Sequence, residues 1–135
     1  MRTAILAYLQ ALTSSQLGTY SVVEELPWDQ NGNPLYLNNL KRIYVDVTQV
    51  TQEPNQNSLS LAGVVDQTSV VRVFFVNDAK QLPSNYESLV DLIVQARLTA
   101  DITGVIERLC QVSTDFDADR LITTFEFSFK KTITN

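Results

Sequence analysis

"DFDADRLITTFEFSFKKTITN", residues 115–135, admits two incompatible folds. With Asp115 as the first position of a calcium loop, Asp117 and Asp119 fall at the third and fifth, Thr123 at the ninth and Glu126 at the twelfth. Carboxylates at that spacing can wrap an ion that takes six to eight oxygen ligands. Arg120 opposes this reading, because it occupies the position where the loop's sharp turn needs glycine and brings a positive charge to the ion. The flank opposes it further. A calcium loop of this type exits into a helix, yet Leu121, Thr123, Phe125, Phe127 and Phe129 alternate with Ile122, Thr124, Glu126, Ser128 and Lys130. That is period two, in residues that favour strands. A strand carries Glu126 away from the aspartates, so the stretch reads as a solvated acidic turn leading into a strand. A small calcium-binding module over Asp115–Glu126 is the lesser alternative.

Working back from this strand, "CQVSTDF" (110–116) reads as its hairpin partner, joined near Ala118, and "ADITGVIERL" (100–109) as an irregular turn or short helix. "PSNYESLVDLIVQARL" (83–98) reads as a helix with a buried stripe of Leu89, Val90, Ile93, Val94 and Ala96. Ser84 and Glu87 have the spacing of a capping box at its start. "SVVRVFFV" (69–76) is the most apolar strand: Val71, Val73 and Phe75 form one face, and Val70, Phe74 and Val76 the other, interrupted by Arg72. A strand apolar on both sides is central and covered on both sides.

Residues 53–67 combine turn chemistry with Leu59, Leu61, Val64 and Val65, which need a partner surface either in this subunit's core or on a neighbouring chain. "KRIYVDVTQVTQ" (41–52) reads as one half-buried strand, with Ile43, Val45 and Val47 on one face and Tyr44, Asp46 and Thr48 on the other. Asn31-Gly32 marks a hairpin tip, with Pro34 at the exit. "TYSVVEEL" (19–26) is extended, and residues 3–16 form a helix through Ile5, Leu6, Leu9 and Leu12, ended by Gly18. The order of helix, three extended segments, helix and hairpin predicts one α+β domain over residues 1–135. Its sheet is twisted, mostly antiparallel and four- or five-stranded, with two helices packed on one face.

Composition narrows function mainly by exclusion. The chain has 135 residues, of which 44% are apolar and 19% charged, with no histidine, four glycines and one cysteine. Residues of this kind build a core without staples. The N-terminal apolar residues are spaced and not continuous, so no signal peptide is expected there, and no stretch approaches the ~20 apolar residues a bilayer requires. Without histidine there is no ordinary catalytic triad and no histidine zinc site; with one cysteine there is no internal disulfide. Neither a P-loop nor a dinucleotide fingerprint is present. Glu24 and Glu25, as neighbours on a strand, point to opposite faces and cannot flank one glycosidic bond. Trp28 and Tyr36 read as a core edge or partner seat more readily than as a ligand stack. The chain is expected to be no enzyme and to carry no cofactor and no metal. Its net charge of −5, with scattered Lys and Arg, disfavours tight binding to DNA.

"DQNGNPLYLNNLKRIYVDVTQVTQEP" (29–54) resembles the minor tail protein U group of long-tailed bacteriophages, the tail terminators. The resemblance lies in the order of parts: N-terminal helix 3–16, extended Tyr20–Leu26, turn Asn31-Gly32, Pro34–Leu37, strand Ile43–Gln49 and a mobile loop at Glu53–Gln67. The second helix and the acidic hairpin Asp115–Arg120 follow. It implies a homo-oligomeric, hexameric ring on the last ring of the tail tube that stops polymerisation and provides the head-tail joining surface. The implied partners are further copies of the chain, the tail-tube protein and a head-connector or neck protein, with DNA passing through without specific binding. The implied location is the head-proximal end of the virion tail, after assembly in the host cytoplasm. A neck or tail-completion protein of the same kind of phage is the alternative. On this reading Leu59, Leu61, Val64, Val65, Val70, Phe74 and Val76 are candidates for the subunit or partner interface. Asp46, Asp115, Asp117, Asp119 and Glu126 are candidates for a negative channel wall, against the plainer reading that they keep the chain soluble.

Overall fold

The structure, a computed structural model, describes residues 2–23, 28–33, 40–54, 64–98 and 104–134. The element order is α1 (Arg2–Thr13), β1 (Ser21–Val23), β2 (Arg42–Val45), β3 (Gln49–Pro54), β4 (Val64–Asp78), α2 (Tyr86–Val94), β5 (Glu107–Asp117) and β6 (Arg120–Thr134), with a short 3₁₀ turn at Gln95–Leu98. The sheet runs β1-β2-β4-β6-β5, and β3 also pairs with β4. It therefore has six strands where four or five were expected. Among the described residues only β1 and β2 pair in parallel; every other pairing is antiparallel. This is the expected α+β fold with a mixed sheet.

Its spine is the β4–β6 pair, each strand 15 residues long. Val71 lies opposite Phe127 and Val73 opposite Phe125, so the apolar residues of both strands fall on one face. Both helices cover that face. Ile5, Leu6 and Leu9 of α1 and Leu89 and Ile93 of α2 form one core with Ile43, Val45, Val71, Val73, Phe75, Phe125, Phe127 and Phe129. The rings of Phe125, Phe127 and Phe129 lie near parallel at 6.4 and 6.5 Å spacing, as side chains two residues apart on a strand must. Tyr8 links the helices by donating its hydroxyl to the Leu92 carbonyl at 2.8 Å.

The expected strand 41–52 is two strands along one edge of β4. At Asp46–Thr48 the ladder breaks: Val45 and Asp46 turn their carbonyls to the Arg2 guanidinium, whose Nε donates at 3.2 and 3.1 Å. Arg2 Nη2 adds a bond of 3.0 Å to the Val45 carbonyl. Asp46 Oδ1 accepts from the Val47 amide at 2.8 Å. These charged groups satisfy backbone that would otherwise be stranded at the break. Val47, expected on the buried face, is 49% exposed as a consequence.

Three further local expectations are corrected. Gly18 does not adopt positive φ; α1 ends through the Leu17 amide bonding the Leu12 carbonyl at 2.9 Å, while Ser14 bonds the Ala11 carbonyl with its hydroxyl. α2 starts at Asn85 with no side-chain cap, so the Ser84–Glu87 box does not form. At Asn31-Gly32 only Gly32 takes positive φ (81°), and the turn is held by Asp29 Oδ1, which accepts from the Asn31 and Asn33 amides at 2.8 Å. The Asn33 amide, opposed by desolvation and aided by the Asn33 side chain and the Asn31 and Gly32 amides, holds the Asp29 carboxyl below its ordinary range. Glu24, Glu25, Pro34–Leu37 including Tyr36, and Ile102 lie outside the described residues.

Phe127→Ala removes a fully buried ring at the centre of this core and is expected to lower folding stability by about 3–5 kcal/mol in urea denaturation. Ile106→Ala, at a side chain 66% exposed, serves as the control and is expected to stay within about 0.5 kcal/mol of the parent chain. Equal losses would place Phe127 outside the core.

Candidate assembly surface

Residues 115–134 resolve in favour of the strand. Asp115 and Asp117 end β5, Ala118 turns at φ 54°, and β6 begins at Arg120. Asp117 and Asp78 flank Arg120 in register. Asp115 sits opposite Ile122, so Glu126 is four positions further along β6, about 13 Å away at strand rise. Among the described residues no three Asp, Glu or Cys side chains form a group that could hold a metal ion. The calcium-loop spacing therefore does not become a calcium-loop geometry.

Three of the candidate channel acids have local partners or a buried setting. Asp46 is buried at the β2–β3 break. Glu126 accepts from Arg72 Nε at 3.0 Å, both side chains being about a third exposed, and such a pair contributes modestly in contact with water. Asp119 meets Lys80 at 3.3 Å, and its carbonyl accepts from the Ala79 amide at 2.7 Å. Asp115, Asp117 and Asp119 gather at the end of the β5–β6 hairpin; Asp46 and Glu126 do not join them.

The candidate apolar residues divide. On the sheet face away from the helices, Tyr44, Phe74, Val76 and Ile122 form a second core with Val23 beside it. Trp28 meets Phe74 edge-on, with centroids 6.2 Å apart and planes at 79°. Phe74 is 7% exposed and Val76 is fully covered within the subunit, in keeping with a central strand apolar on both faces. Val64, Val65 and Val70 are half-buried; Leu59 and Leu61 lie outside the described residues.

The uncovered surface is elsewhere. Among the described residues β5 is the last strand of the sheet, with no strand paired to its outer side. Leu109 is 51%, Val112 44% and Phe116 68% exposed along it, with Ile106 at 66% just before it. On the helix side, a cleft of about 300 Å³ lies between α2 and this hairpin, lined by Tyr86, Val90, Val112, Thr114 and Thr123, with the exposed acids Glu87 and Asp91 bordering it. Tyr86 and Thr123 share a hydroxyl–hydroxyl bond at its floor. The sequence gives little sign of this surface, because "ERLCQVSTDF" mixes apolar and polar residues without naming the sheet edge it will occupy.

Cys110, half-buried beside the cleft's strand, packs on the helix-side core. Burial pushes its thiol up to about 11, only partly opposed by the charge of Arg97.

No protein-family model matches the chain, and no curated protein matches it. Among solved structures, the fold is similar to a chain in the virion of a native gene transfer agent particle. The TM-score is 0.63 at 14% identity, over 98% of this chain and 95% of that one. A likeness at that identity is one of fold.

Two measurements check these placements. Phe74→Asp buries an unpaired carboxylate in the second core and is expected to cost about 3–5 kcal/mol of folding stability; a variant as stable as the parent chain would mean the ring is not enclosed. At pH 8 only about one Cys110 thiol in a thousand is ionised. Iodoacetamide is therefore expected to label the folded chain at least ~100-fold more slowly than the urea-unfolded chain, and equal rates would refute the burial.

Proposed function

We propose that this chain is a non-enzymatic structural protein of a phage-like virion, and specifically a tail terminator that forms a ring on the last tube ring. The observation that carries the coarse reading is the fold likeness, which runs along nearly the whole of both chains, to a component of a gene transfer agent virion. The finer reading draws on the order of elements shared with the minor tail protein U group. It is supported by the edge strand β5, which among the described residues has no partner on its outer side and exposes Leu109, Val112 and Phe116. A heterologous ring would bury such an edge in every copy, because each subunit offers one surface and receives another.

The chemistry of the surface agrees with a passive role. Asp29, Asp46, Asp119 and Glu126 are engaged in a turn, a strand break and ion pairs. A net charge of −5 per copy gives any ring an overall negative charge, so that passing DNA would meet repulsion and not adhesion. Tail-tube protein on one side and a head-connector or neck protein on the other would be the partners, at the head-proximal end of the tail.

Polymerising tail-tube protein with and without the purified chain, followed by negative-stain microscopy, tests the role. Tubes are expected to shorten and to carry a terminal ring. Rings that leave tube length unchanged but bind a head connector would move the chain to the neck. A strict monomer that neither rings nor caps tubes would end the terminator reading.

A further inference from the structure

We infer that a second cleft, formed by the leads into β1 and β2 and the turn after β4, seats an uncharged polypeptide segment, with one guest amide against Asn77 and an apolar side chain beside it. This cleft shares no residue with the β5 edge, and β2 and β5 lie on opposite sides of β4. The inference therefore goes beyond the terminator reading and does not depend on it.

Three pieces of chain wall the cleft: residues 19–20 before β1, 40–41 before β2, and 77–83 from the end of β4 into the turn. They are tied together before any guest arrives. The Ser21 amide donates to the Lys41 carbonyl at 3.1 Å, and the Lys41 amide to the Val76 carbonyl at 3.0 Å. Asp78 holds the turn: its Oδ1 accepts from the Lys80 amide at 2.9 Å and its carbonyl from the Gln81 amide at 3.2 Å. The space enclosed is about 310 Å³, at the small end for ligand sites.

Asn77 is the decisive residue. It lines the cleft and is 2% exposed. The Tyr20 hydroxyl donates to its Oδ1. Burial, and then the nearby Tyr86, push the Tyr20 hydroxyl above its ordinary pKa, so it keeps the proton it donates. Asn77 Nδ2 is buried and has no hydrogen-bond partner. A buried donor left unmatched destabilises the chain that carries it. An acceptor brought into the cleft removes that cost, so a guest gains what the free chain lacks.

The charges around Asn77 select the guest. Lys41 and Asp78 line the same cleft, and neither forms an ion pair among the described residues. An anionic guest would meet Asp78 and the chain's net charge of −5, and a cationic guest would meet Lys41. An amide is neutral and has both polar ends. Its carbonyl can accept from Asn77 Nδ2 or Lys41, and its N–H can donate to Asp78. Leu40, 41% exposed, and Pro83 offer an apolar side chain a surface. An amide next to an apolar side chain is the repeating unit of an uncharged peptide.

Two-dimensional proton–nitrogen NMR of the full chain, titrated with N-acetyl-leucinamide, tests this. The probe is expected to shift the Tyr20, Lys41, Asn77 and Gln81 backbone amides to saturation. Its charged counterparts, N-acetyl-leucine and leucinamide, are expected to bind at least about fivefold more weakly. A blocked alanyl-leucyl-alanine peptide is expected to bind at least about threefold more tightly than the single residue; equal affinity would assign the cleft to a small free amide and overturn the polypeptide guest. The double variant Tyr20→Phe/Asn77→Leu replaces donor and acceptor together by apolar groups. It is expected to resist urea at least as well as the parent chain and to bind N-acetyl-leucinamide at least about tenfold more weakly. Lys41→Gln, at an exposed side chain, is expected to keep the parent stability and to weaken the probe about threefold. A neutral probe that shifts nothing to saturation, or a charged counterpart that binds as tightly, would overturn the inference. So would unchanged affinity in Lys41→Gln. A double variant that loses stability yet still binds would make Asn77 a structural acceptor for Tyr20 and overturn the inference too.

Discussion

The register between β4 and β6 is the constraint on which the rest of the molecule depends. Fifteen pairs lock the two strands along their whole described length, and a strand's side chains alternate between faces. A slip of one residue would send Phe125, Phe127 and Phe129 to the face away from the helices and bring Thr124, Glu126 and Ser128 under α1 and α2. Neither helix could then bury its stripe. The same register places Arg72 opposite Glu126 and Val76 opposite Ile122 on the second face. There an ion pair and a small aromatic core sit side by side on one sheet surface. Opposite charges at directly facing positions add specificity to a pairing whose main drive is burial.

Most of this frame was legible in the sequence because it follows from periodicity. Alternation over residues 121–130 named a strand and so ruled against a calcium loop, and the stripe at Leu89, Ile93 and Ala96 named a helix and its buried side. What escaped depends on contacts distant in sequence. The break at Asp46–Thr48 exists where Arg2, more than forty residues away, supplies donors to two strand carbonyls. Alternation through Val45 and Val47 gives no hint of it. What covers Phe74 and Val76 was not legible, because both helices pack on the other face of the sheet. Trp28, from a turn segment with no strong pattern of its own, supplies the lid. Ser84 and Glu87 have capping spacing, yet the helix begins at Tyr86, too late for Ser84 to serve as its cap.

The candidate site was the least legible part. Five acids were grouped by charge alone, and the fold disperses them: one buried in a strand break, one paired to an arginine and three at a hairpin end. Acidic residues are the commonest surface residues in an acidic chain, so their count carries no geometric information. Part of the apolar surface that remains open lies on β5, whose position at the sheet edge follows from strand order, a property with no local sequence signature.

That edge has a graded chemistry. Glu107 and Arg108 stand at one end of β5 and Asp115 and Asp117 at the other, while residues 109–114, Leu-Cys-Gln-Val-Ser-Thr, carry no charge. Charges on an edge strand are a usual defence against indiscriminate pairing, because a second strand laid along them must strip their water. Here the defence is confined to the ends. A long acidic strand is turned away by the aspartates near the hairpin, and a second β5 laid antiparallel about its centre brings Glu107 and Arg108 against the partner's aspartates. Half of that exchange is repulsive. A short neutral strand fits the uncharged middle without meeting either end. The edge is therefore selective in length and charge, which suits a surface that admits one kind of neighbour and resists open-ended sheet growth.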